Sequence, residues 1–332
     1  IHVSNLYHIE PQSQLAEKLT SLSFADKVFF CNSGTEAVES AIKLARKYFF
    51  DQGQSGRTEI ITMHNSFHGR TLGSLSATAQ KKFHTGFKPL LPGFKHIPFN
   101  DLQSARKAIT KKTCAILVEP IQGEGGVNVP DPSYLKGLKK LCQKNGALLI
   151  FDEVQSGFGR TGKLFAYELY KTKPDIMTMA KALGGGVAIG AMAATNKAMK
   201  SFVPGTHAAT FGGNPLACSA ALATLKVITG KNFLNKVSAT GNYFSQRLQE
   251  IARKNPVVKE ARGAGLFLAL ELNQPGHEIV VDCMNQGFLI NCIQQNVLRF
   301  IPPLTISRKD IDSLVSVLSN SLTKLNDKQQ TF

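Results

Sequence analysis

The sequence predicts an α/β protein: a large domain with a mostly parallel sheet flanked by helices, followed by a smaller α+β C-terminal domain. Through about residue 230, short apolar runs alternate with segments of helical periodicity. Such strand–helix–strand repetition produces a parallel sheet covered on both faces. Beyond that point come a long helical stretch, several short apolar runs and a final helix. A chain of 332 residues is long enough for both domains.

The predicted elements follow one another in order along the chain. The run KVFFCN at 27–32 is typical of a strand, and the segment at 33–49 has apolar residues close to helical spacing, with Ser33 or Thr35 at its start. Further buried strands are predicted at 59–63, 114–120, 147–154 and 175–181, and helices at 132–146, at 234–254 and from about 308. Because ligands of such sheets bind outside the carboxyl ends of the strands, chemistry is expected in the loops there.

The domain boundaries follow from these patterns. We predict a large ligand-binding domain at 12–230 and a small C-terminal domain at 231–332. The opening residues, IHVSNLYHIEPQ, lack the basic head and apolar run of a signal peptide. We interpret 1–11 as the remnant of an N-terminal segment and expect further chain upstream.

Composition excludes several classes of protein. Hydrophobic residues make up 43% and charged residues 19% of the chain, which is globular and excludes disorder, collagen and coiled coil. No apolar run reaches the length of a membrane span, so no membrane partner is expected. The net charge of +16 is spread over short basic groups, which favours solvated faces over nucleic-acid binding. The six scattered cysteines contain no CxxC pair; no metal site is therefore predicted, and a reducing compartment is favoured.

Two strand ends carry candidate catalytic groups. Asp152 and Glu153 follow the run ALLIF, where buried carboxylates are costly unless something nearby favours negative charge. Lys181 closes another apolar run and precedes ALGGG. A partly desolvated lysine is a nucleophilic amine, and glycines let a ligand approach the backbone. Taken alone, Asp152 is equally compatible with a solvated strand end, and a lysine placed like Lys181 is more often a surface lysine.

Three loops add possible binding groups. The string NSGTEA at 32–37 opens a helix whose free backbone N–H groups could hold a phosphate, although helix capping explains it equally well. In NSFHGRT, Phe67 could stack on a planar ring and Arg70 could bind a carboxylate. Thr210 lies in the small-residue loop HAATFGGNP. Together, an amine, a strand-end acid, a phosphate-binding helix start and a stacking aromatic indicate a site for pyridoxal phosphate (PLP).

At these motifs the chain resembles the class III, fold-type I aminotransferases. The matching strings are HVSNLY, NSGTEAVESAIKLARKY, SFHGRT, VEPIQGEGG, LLIFDEVQSGFGRTGKLFAYE, PDIMTMAKALGGG, TFGGNPLA and LRFIPPL. They cover nearly the whole chain in order, and within the family they are most similar to the branch that acts on N-acetylornithine.

The resemblance implies a role for each matching residue. Lys181 would bind PLP covalently and move protons, and Asp152 would pair with the ring nitrogen. The implied cofactor contacts are Gly34, Thr35, Phe67, Asp152, Glu153, Val154, Gln155, Lys181 and, from the neighbouring subunit, Thr210. The implied substrate contacts are Arg70, Glu124, Arg299 and Ala209. Glu124 would mask Arg299 while the ω-amino donor is bound and release it for the α-carboxylate of glutamate.

The resemblance also implies the reaction and the assembly. The δ-amine of N-acetylornithine would pass to 2-oxoglutarate in a ping-pong reaction that yields glutamate, as in arginine biosynthesis, and succinyldiaminopimelate of lysine biosynthesis is a further possible substrate. The family forms a homodimer that shares its sites across the interface. A bacterial cytoplasm is the expected location, with an organelle matrix as the alternative.

Two departures from the family keep alternatives open. Ala209 stands where many members have serine, and the glycine-rich upstream segment of the family is absent from this sequence. The alternatives are an ornithine, succinylornithine or 4-aminobutyrate aminotransferase, and a truncated inactive relative that serves as a binding module. A basic nucleic-acid binder has only the net charge in its favour. A Rossmann dehydrogenase is disfavoured because neither GEGG nor GGG follows the first strand.

Overall fold

The chain folds into two compact units. The computed structural model describes the backbone of residues 1–330 and the side chains of residues 1–326. The first unit comprises Ile1–Pro120, Pro130–Phe158 and Phe165–Gly230, and the second comprises Ile121–Val129, Gly159–Leu164 and the segment that begins at Lys231. The pattern change near residue 230 therefore coincides with the passage into the second unit. Two short segments from within the predicted 12–230 domain belong to the second unit.

A mixed sheet of seven strands lies at the centre of the first unit. Its strands are β1 (Lys27–Cys31), β2 (Glu59–Met63), β3 (Phe94–Ile97), β4 (Thr113–Val118), β5 (Leu148–Asp152), β6 (Ile176–Met179) and β7 (Gly190–Ala194). Their order is β1-β7-β6-β5-β4-β2-β3. Neighbouring strands from β3 to β6 pair in parallel, while β7 is antiparallel to both β6 and β1. The carboxyl ends of β1, β2, β4, β5 and β6 consequently meet at one edge.

Helices surround this sheet because its central strands are apolar on both faces. They are α1 (Glu10–Ser21), α2 (Gly34–Phe50), α3 (Leu72–Ala77), α4 (Leu102–Ala108), α5 (Tyr134–Asn145), α6 (Ala166–Leu169), α7 (Asn196–Met199) and α8 (Pro215–Ile228). Every residue of β4, β5, β6 and β7 is buried. Helix α2 packs its apolar face on the sheet, and fully burying a side chain such as Leu44 or Phe49 contributes about 1.5–3 kcal/mol.

The second unit has its own sheet and core. Its strands β8 (Val258–Ala264), β9 (Phe267–Leu272), β10 (Asn291–Ile293) and β11 (Val297–Phe300) pair in the order β10-β11-β9-β8, and all pairs are antiparallel. Its helices are α9 (Phe233–Lys254), α10 (His277–Asn285) and α11 (Arg308–Gln330). Phe244, Leu268 and Leu318 belong to the hydrophobic cluster of this unit.

The predicted fold class, with its mostly parallel sheet, is confirmed. The predicted strands and helices are present within a few residues of their expected bounds. The structure adds β3 and β7, which were not predicted. Only about ten residues separate β6 from β7, and so short a connection returns the chain antiparallel, since a parallel crossover needs a dozen residues or more. Among the described residues, no helix has the length and apolar character needed to cross a bilayer.

Candidate active site

Asp152 ends β5, and its carboxylate is held in one orientation. Oδ1 accepts hydrogen bonds from the Thr178 hydroxyl at 3.0 Å and from the Val154 N–H at 3.1 Å. Oδ2 lies 2.7 Å from Nδ1 of His68. Thr178 is the register partner of Asp152 on β6. Because each carboxylate oxygen has two lone pairs, Oδ2 keeps one acceptor position. The carboxylate is 4% exposed and suits a cationic N–H partner.

His68 fixes the position of Asp152 and had no role assigned from the sequence. A carboxylate oxygen only accepts, so Nδ1 of His68 carries the hydrogen of this pair. Nε2 is buried and has no hydrogen-bond partner among the described residues. The sequence held a signal for each of these two residues. His68 lies in the motif SFHGRT, and Thr178 is a hydroxyl-bearing residue within the otherwise apolar run DIMTM.

The N-terminus of α2 brings its first backbone amides to the same edge. Ser33 caps the helix by accepting from the Glu36 N–H, which leaves the amides of Gly34 and Thr35 without intrahelical partners. A Cβ on Gly34 would lie 2.8 Å from Cγ1 of Val154 and 3.4 Å from Cβ of Ala180. Glycine at 34 is therefore what allows α2, the end of β5 and the residue before Lys181 to pack together.

Hydroxyl groups surround the start of α2. The Thr35 hydroxyl accepts from the N–H groups of Arg70 and Thr71, both at 3.3 Å, and lies 2.6 Å from the Ser74 hydroxyl. Glu39 accepts from the N–H groups of Gly73 and Ser74. The loop after β2 is thus held against the N-terminus of α2, where the amide groups and the helix dipole favour an anion.

Lys181 lies two residues after the end of β6, in a strained backbone conformation. Its φ is +44°, and it begins a 3₁₀ turn, Lys181–Gly184. A non-glycine residue in the left-handed region stores strain, and such residues cluster at functional sites. Its side chain is exposed at the edge where the strand ends meet. The amine of Lys181 and the carboxylate of Asp152 thus follow neighbouring parallel strands.

The loop after β2 also presents Phe67 and Arg70. The N–H of Phe67 donates to Glu119, a buried residue that follows β4, at 3.1 Å. The guanidinium carbon of Arg70 lies 4.0 Å from the ring centroid of Phe83 and 5.4 Å from that of Phe67. Arg70 is exposed, so its cation can meet a carboxylate from solvent.

Glu153 points away from the strand-end cluster. Its buried carboxylate accepts from the N–H groups of Ala166 and Tyr167 at 2.6 and 2.8 Å and from the Ser156 hydroxyl at 3.1 Å. Burial raises its pKa to about 7, although these hydrogen bonds act to lower it. Its side chain therefore holds the start of α6, which gives the predicted cofactor contact of Glu153 no support from the side chain. Gln155 is half-buried beside Val154, and its predicted contact stays a prediction.

Ala209 and Thr210 lie in a loop at the edge strand β1. The carbonyl of Ala209 accepts from the Asn5 side chain at 2.7 Å. A Cβ on Gly212 would lie 2.3 Å from the carbonyl oxygen of Phe30, so glycine lets this loop approach the strand. Thr210 itself is exposed. Its predicted contact with a second subunit stays a prediction.

Glu124 and Arg299, both in the second unit, form an ion pair. Nη1 of Arg299 lies 2.7 Å from Oε1 of Glu124. The Arg299 side chain is 7% exposed and that of Glu124 is 31% exposed. Nε of Arg299 also donates to Asn291 at 3.3 Å, and Gln294 donates to the carbonyl of Glu124 at 2.8 Å. The buried guanidinium is thus paired with a more exposed acid, and the predicted release of Arg299 from Glu124 stays a prediction.

Comparison with known proteins places the chain in a family. Residues 1–322 match the family model described as aminotransferase class-III, and the chain belongs to that family. Class III aminotransferases use PLP, so this is a PLP-dependent aminotransferase, as predicted.

Individual relatives show which enzymes of this family the chain is similar to. The chain is 51% identical to an acetylornithine aminotransferase from Methanocaldococcus jannaschii, over 98% of this chain and 82% of the relative. It is 50% identical to an acetylornithine aminotransferase from Caldanaerobacter subterraneus subsp. tengcongensis, over 98% and 83%. An ornithine aminotransferase structure from Toxoplasma gondii, described with partial PLP occupancy at the active site, aligns with a TM-score of 0.94 at 33% identity, over 99% of this chain and 80% of that chain.

The residues of the first unit fit this cofactor. The acceptor position left on Oδ2 of Asp152 suits a pyridinium N–H. The unpaired amides at Gly34 and Thr35 suit a phosphate, and Lys181 supplies a primary amine from the neighbouring strand end. The three groups stand on elements that pack directly against one another around Gly34.

Proposed function

We propose that this protein transfers the δ-amino group of N-acetylornithine to 2-oxoglutarate and releases glutamate. The observation that carries this substrate choice is the identity of 50–51% to acetylornithine aminotransferases over 98% of the chain. The ornithine aminotransferase structure aligns with a TM-score of 0.94 but is only 33% identical. Backbone similarity alone therefore reports the shared fold, while sequence identity favours the acetylated donor.

The residues of the first unit would hold the cofactor and move protons. PLP, when bound, withdraws electrons from the carbon that carries the transferred amine and eases the breaking of its C–H bond. Asp152 would keep a proton on the ring nitrogen, and His68 would keep Asp152 in place. The N-terminus of α2 would bind the phosphate, and Phe67 would pack on the ring. Lys181 would carry the proton between the two carbon atoms that exchange it.

Two cations would bind the carboxylates of the substrates. Arg70, exposed on the loop after β2, would bind a carboxylate of each substrate. Arg299 would bind the α-carboxylate of glutamate after Glu124 leaves it, and would stay neutralised while the donor is bound. A single enzyme that accepts a donor and a dicarboxylate in turn needs one cation that can be masked.

We further propose a homodimer located in a reducing compartment, the prokaryotic cytoplasm. The family resemblance supports shared sites, and the exposed Thr210 at the sheet edge is the residue offered to a partner subunit. All six cysteines, which lie within the described residues, are unpaired thiols, as expected in reducing conditions. The two relatives named above come from an archaeon and a bacterium.

The substrate proposal is tested by comparing kcat/KM for N-acetylornithine and for ornithine, each with 2-oxoglutarate as acceptor. We expect the acetylated donor to be preferred at least tenfold, a difference of about 1.4 kcal/mol. Lys181→Ala is the control and should abolish turnover with both donors. A preference for ornithine would contradict the substrate, and an inactive wild-type protein that retains PLP would favour the binding-module alternative.

A further inference from the structure

Phe83 lies against the cation that the proposed function assigns to the donor carboxylate. The guanidinium carbon of Arg70 is 4.0 Å from the Phe83 ring centroid, close to van der Waals contact of a planar cation with a ring. The rings of Phe83 and Phe67 meet edge to face, with centroids 5.6 Å apart and planes at 82°. Nothing in the sequence pattern singled out Phe83, which lies in the basic string QKKFHTGF.

A short, well-anchored turn supports the Phe83 ring. Residues Lys81–Phe83 form a 3₁₀ turn in which the Phe83 N–H donates to the carbonyl of Gln80 at 3.0 Å. Nε2 of the next residue, His84, lies 2.7 Å from the carbonyl oxygen of Thr78 and 3.1 Å from that of Leu75. The turn is thereby tied to α3 and the residue after it. These contacts fix the backbone that carries the ring, whereas the side chain of an exposed arginine samples many rotamers in water.

We propose that Phe83 is a positioning residue that sets the enzyme's selectivity for donors with an α-carboxylate. The negative face of the ring attracts the guanidinium and leaves its N–H edge to bind the carboxylate bidentately. The ordering of Arg70 then takes place before the substrate arrives, so less rotamer freedom is lost on binding. This inference rests on the proposed function, since it requires Arg70 to bind the donor.

Phe83 contacts other groups, and the experiment must separate them. The ring also touches Phe67, and the Nζ atom of Lys82 lies 5.0 Å from its centroid. An effect through Phe67 would change PLP retention and every donor alike. An effect through Arg70 would change only donors that carry the carboxylate. Lys82→Met removes the second cation at this ring and serves as the matched control.

The test measures kcat/KM for N-acetylornithine and for N-acetylputrescine, which has the same amine and acetyl group but no α-carboxylate. Phe83→Leu should lower the preference for the carboxylated donor roughly three- to tenfold, the range of a cation–π contact, mainly through KM. The kcat/KM of Phe83→Leu for N-acetylputrescine should equal that of the wild type. Phe83→Tyr and Lys82→Met should both keep the wild-type preference. In an Arg70→Ala background, Phe83→Leu should have no further effect on the preference.

A second readout does not depend on turnover. Phenylglyoxal condenses with exposed guanidinium groups, and stacking on Phe83 covers one face of Arg70. Peptide mapping should find Arg70 modified faster in Phe83→Leu than in wild type, with no change in Phe83→Tyr. If Arg70→Ala removes the carboxylate preference and Phe83→Leu leaves it intact, the inference is overturned while the proposed function stands. If Arg70→Ala also leaves the preference intact, Arg70 is not the carboxylate site, and both the inference and the role assigned to Arg70 are overturned while the proposed transfer reaction stands.

Discussion

At the scale of single residues, the decisive feature is the carboxylate of Asp152. Three donors from different parts of the chain fix it: the Thr178 hydroxyl, the Val154 N–H and His68. Fixed, buried charges act strongly on a bound group because they need no reorganisation when charge develops. Such a carboxylate is costly to bury and is consistent with a cationic ring nitrogen beside it.

Replacing Asp152 with asparagine tests this electrostatic role. The amide keeps the size of the side chain but has no charge to hold a proton on the ring nitrogen. We expect kcat to fall about 100- to 1000-fold, the usual cost of one preorganised polar group. Thr178→Val keeps the carboxylate and removes one hydrogen bond, worth about 0.5–1.5 kcal/mol, so its kcat should fall tenfold or less. Equal losses in steady-state assays of the two variants would contradict a dominant role for the charge.

The buried carboxyl of Glu153 makes stability depend on pH. Its pKa is raised from 4.5 to about 7, so between those values the folded protein holds a proton that the unfolded chain releases. The contribution of Glu153 to the free energy of unfolding should therefore decrease as pH rises from about 4.5 to 7 and then level off. Glu153→Gln keeps an acceptor for the α6 amides and cannot titrate.

Urea unfolding followed by circular dichroism across this pH range measures the effect. The difference in unfolding free energy between wild type and Glu153→Gln should change progressively from pH 4.5 to 7 in the direction that favours the variant. Glu10→Gln, at an exposed glutamate outside this network of hydrogen bonds, is the control. A difference that stays constant with pH would show that Glu153 does not titrate in this window.

At the scale of elements, the site forms where strand ends and one helix start meet. The sequence predicted β5, β6 and α2 because their patterns are short-range: continuous apolar runs, and helical spacing after a capping serine. It did not predict β7, whose residues GAMAA have weak strand preference. Nor could spacing predict the Asp152–His68 pair, which joins residues 84 positions apart.

The second unit shows a different limit of prediction. The ion pair of Glu124 with Arg299 joins residues 175 positions apart, and it was expected only through the family resemblance. Glu153 shows how a motif can mislead: it stands next to Asp152 in the sequence, yet its carboxylate holds α6. Whether the side chain after a strand end turns to the ligand or to the protein depends on which unpaired backbone N–H groups lie within reach.

Close packing at the start of α2 gives a prediction for that element. Gly34→Ala would place a methyl 2.8 and 3.1 Å from the two methyls of Val154, and a β-branched side chain has little freedom to move away. We expect a loss of about 1–3 kcal/mol of stability and weaker PLP binding, because the phosphate-binding amides shift. Val154→Ala removes the clash, so the double variant should recover most of the lost stability. Thermal unfolding and PLP titration measure the two effects, and a double variant no more stable than Gly34→Ala would contradict the packing argument.

At the scale of the whole molecule, charge bears on how substrates arrive. A net charge of +16 attracts anionic substrates at low salt, and ions screen this attraction beyond about 8–10 Å at physiological strength. Steering of this kind raises the rate of encounter and does not select among anions. Selectivity must come from groups placed at the site, and a predicted cofactor contact of that site, Thr210, is expected from a second copy of the chain.

Subunit mixing tests whether Thr210 acts across a dimer interface. Thr210→Ala should weaken PLP binding tenfold or more if its hydroxyl donates to the phosphate, with Thr210→Ser close to wild type. Lys181→Ala should be inactive. Thr210→Ala chains and Lys181→Ala chains are unfolded together in equal amounts and refolded as a mixture. If they pair at random, half of the dimers are hybrids that contain one chain of each variant. Each hybrid has one site with Lys181 from one chain and Thr210 from the other.

Such a mixture, assayed at limiting PLP, should regain about a quarter of wild-type activity, since half of the dimers each carry one intact site. Because the regained activity needs both chains, it shows that the protein is a dimer and that Thr210 of one chain serves the site that contains Lys181 of the other. If Thr210 served the site of its own chain, no hybrid would contain an intact site, and the mixture would be no more active than the average of its parents. Size-exclusion chromatography of each parent distinguishes that result from a failure to assemble.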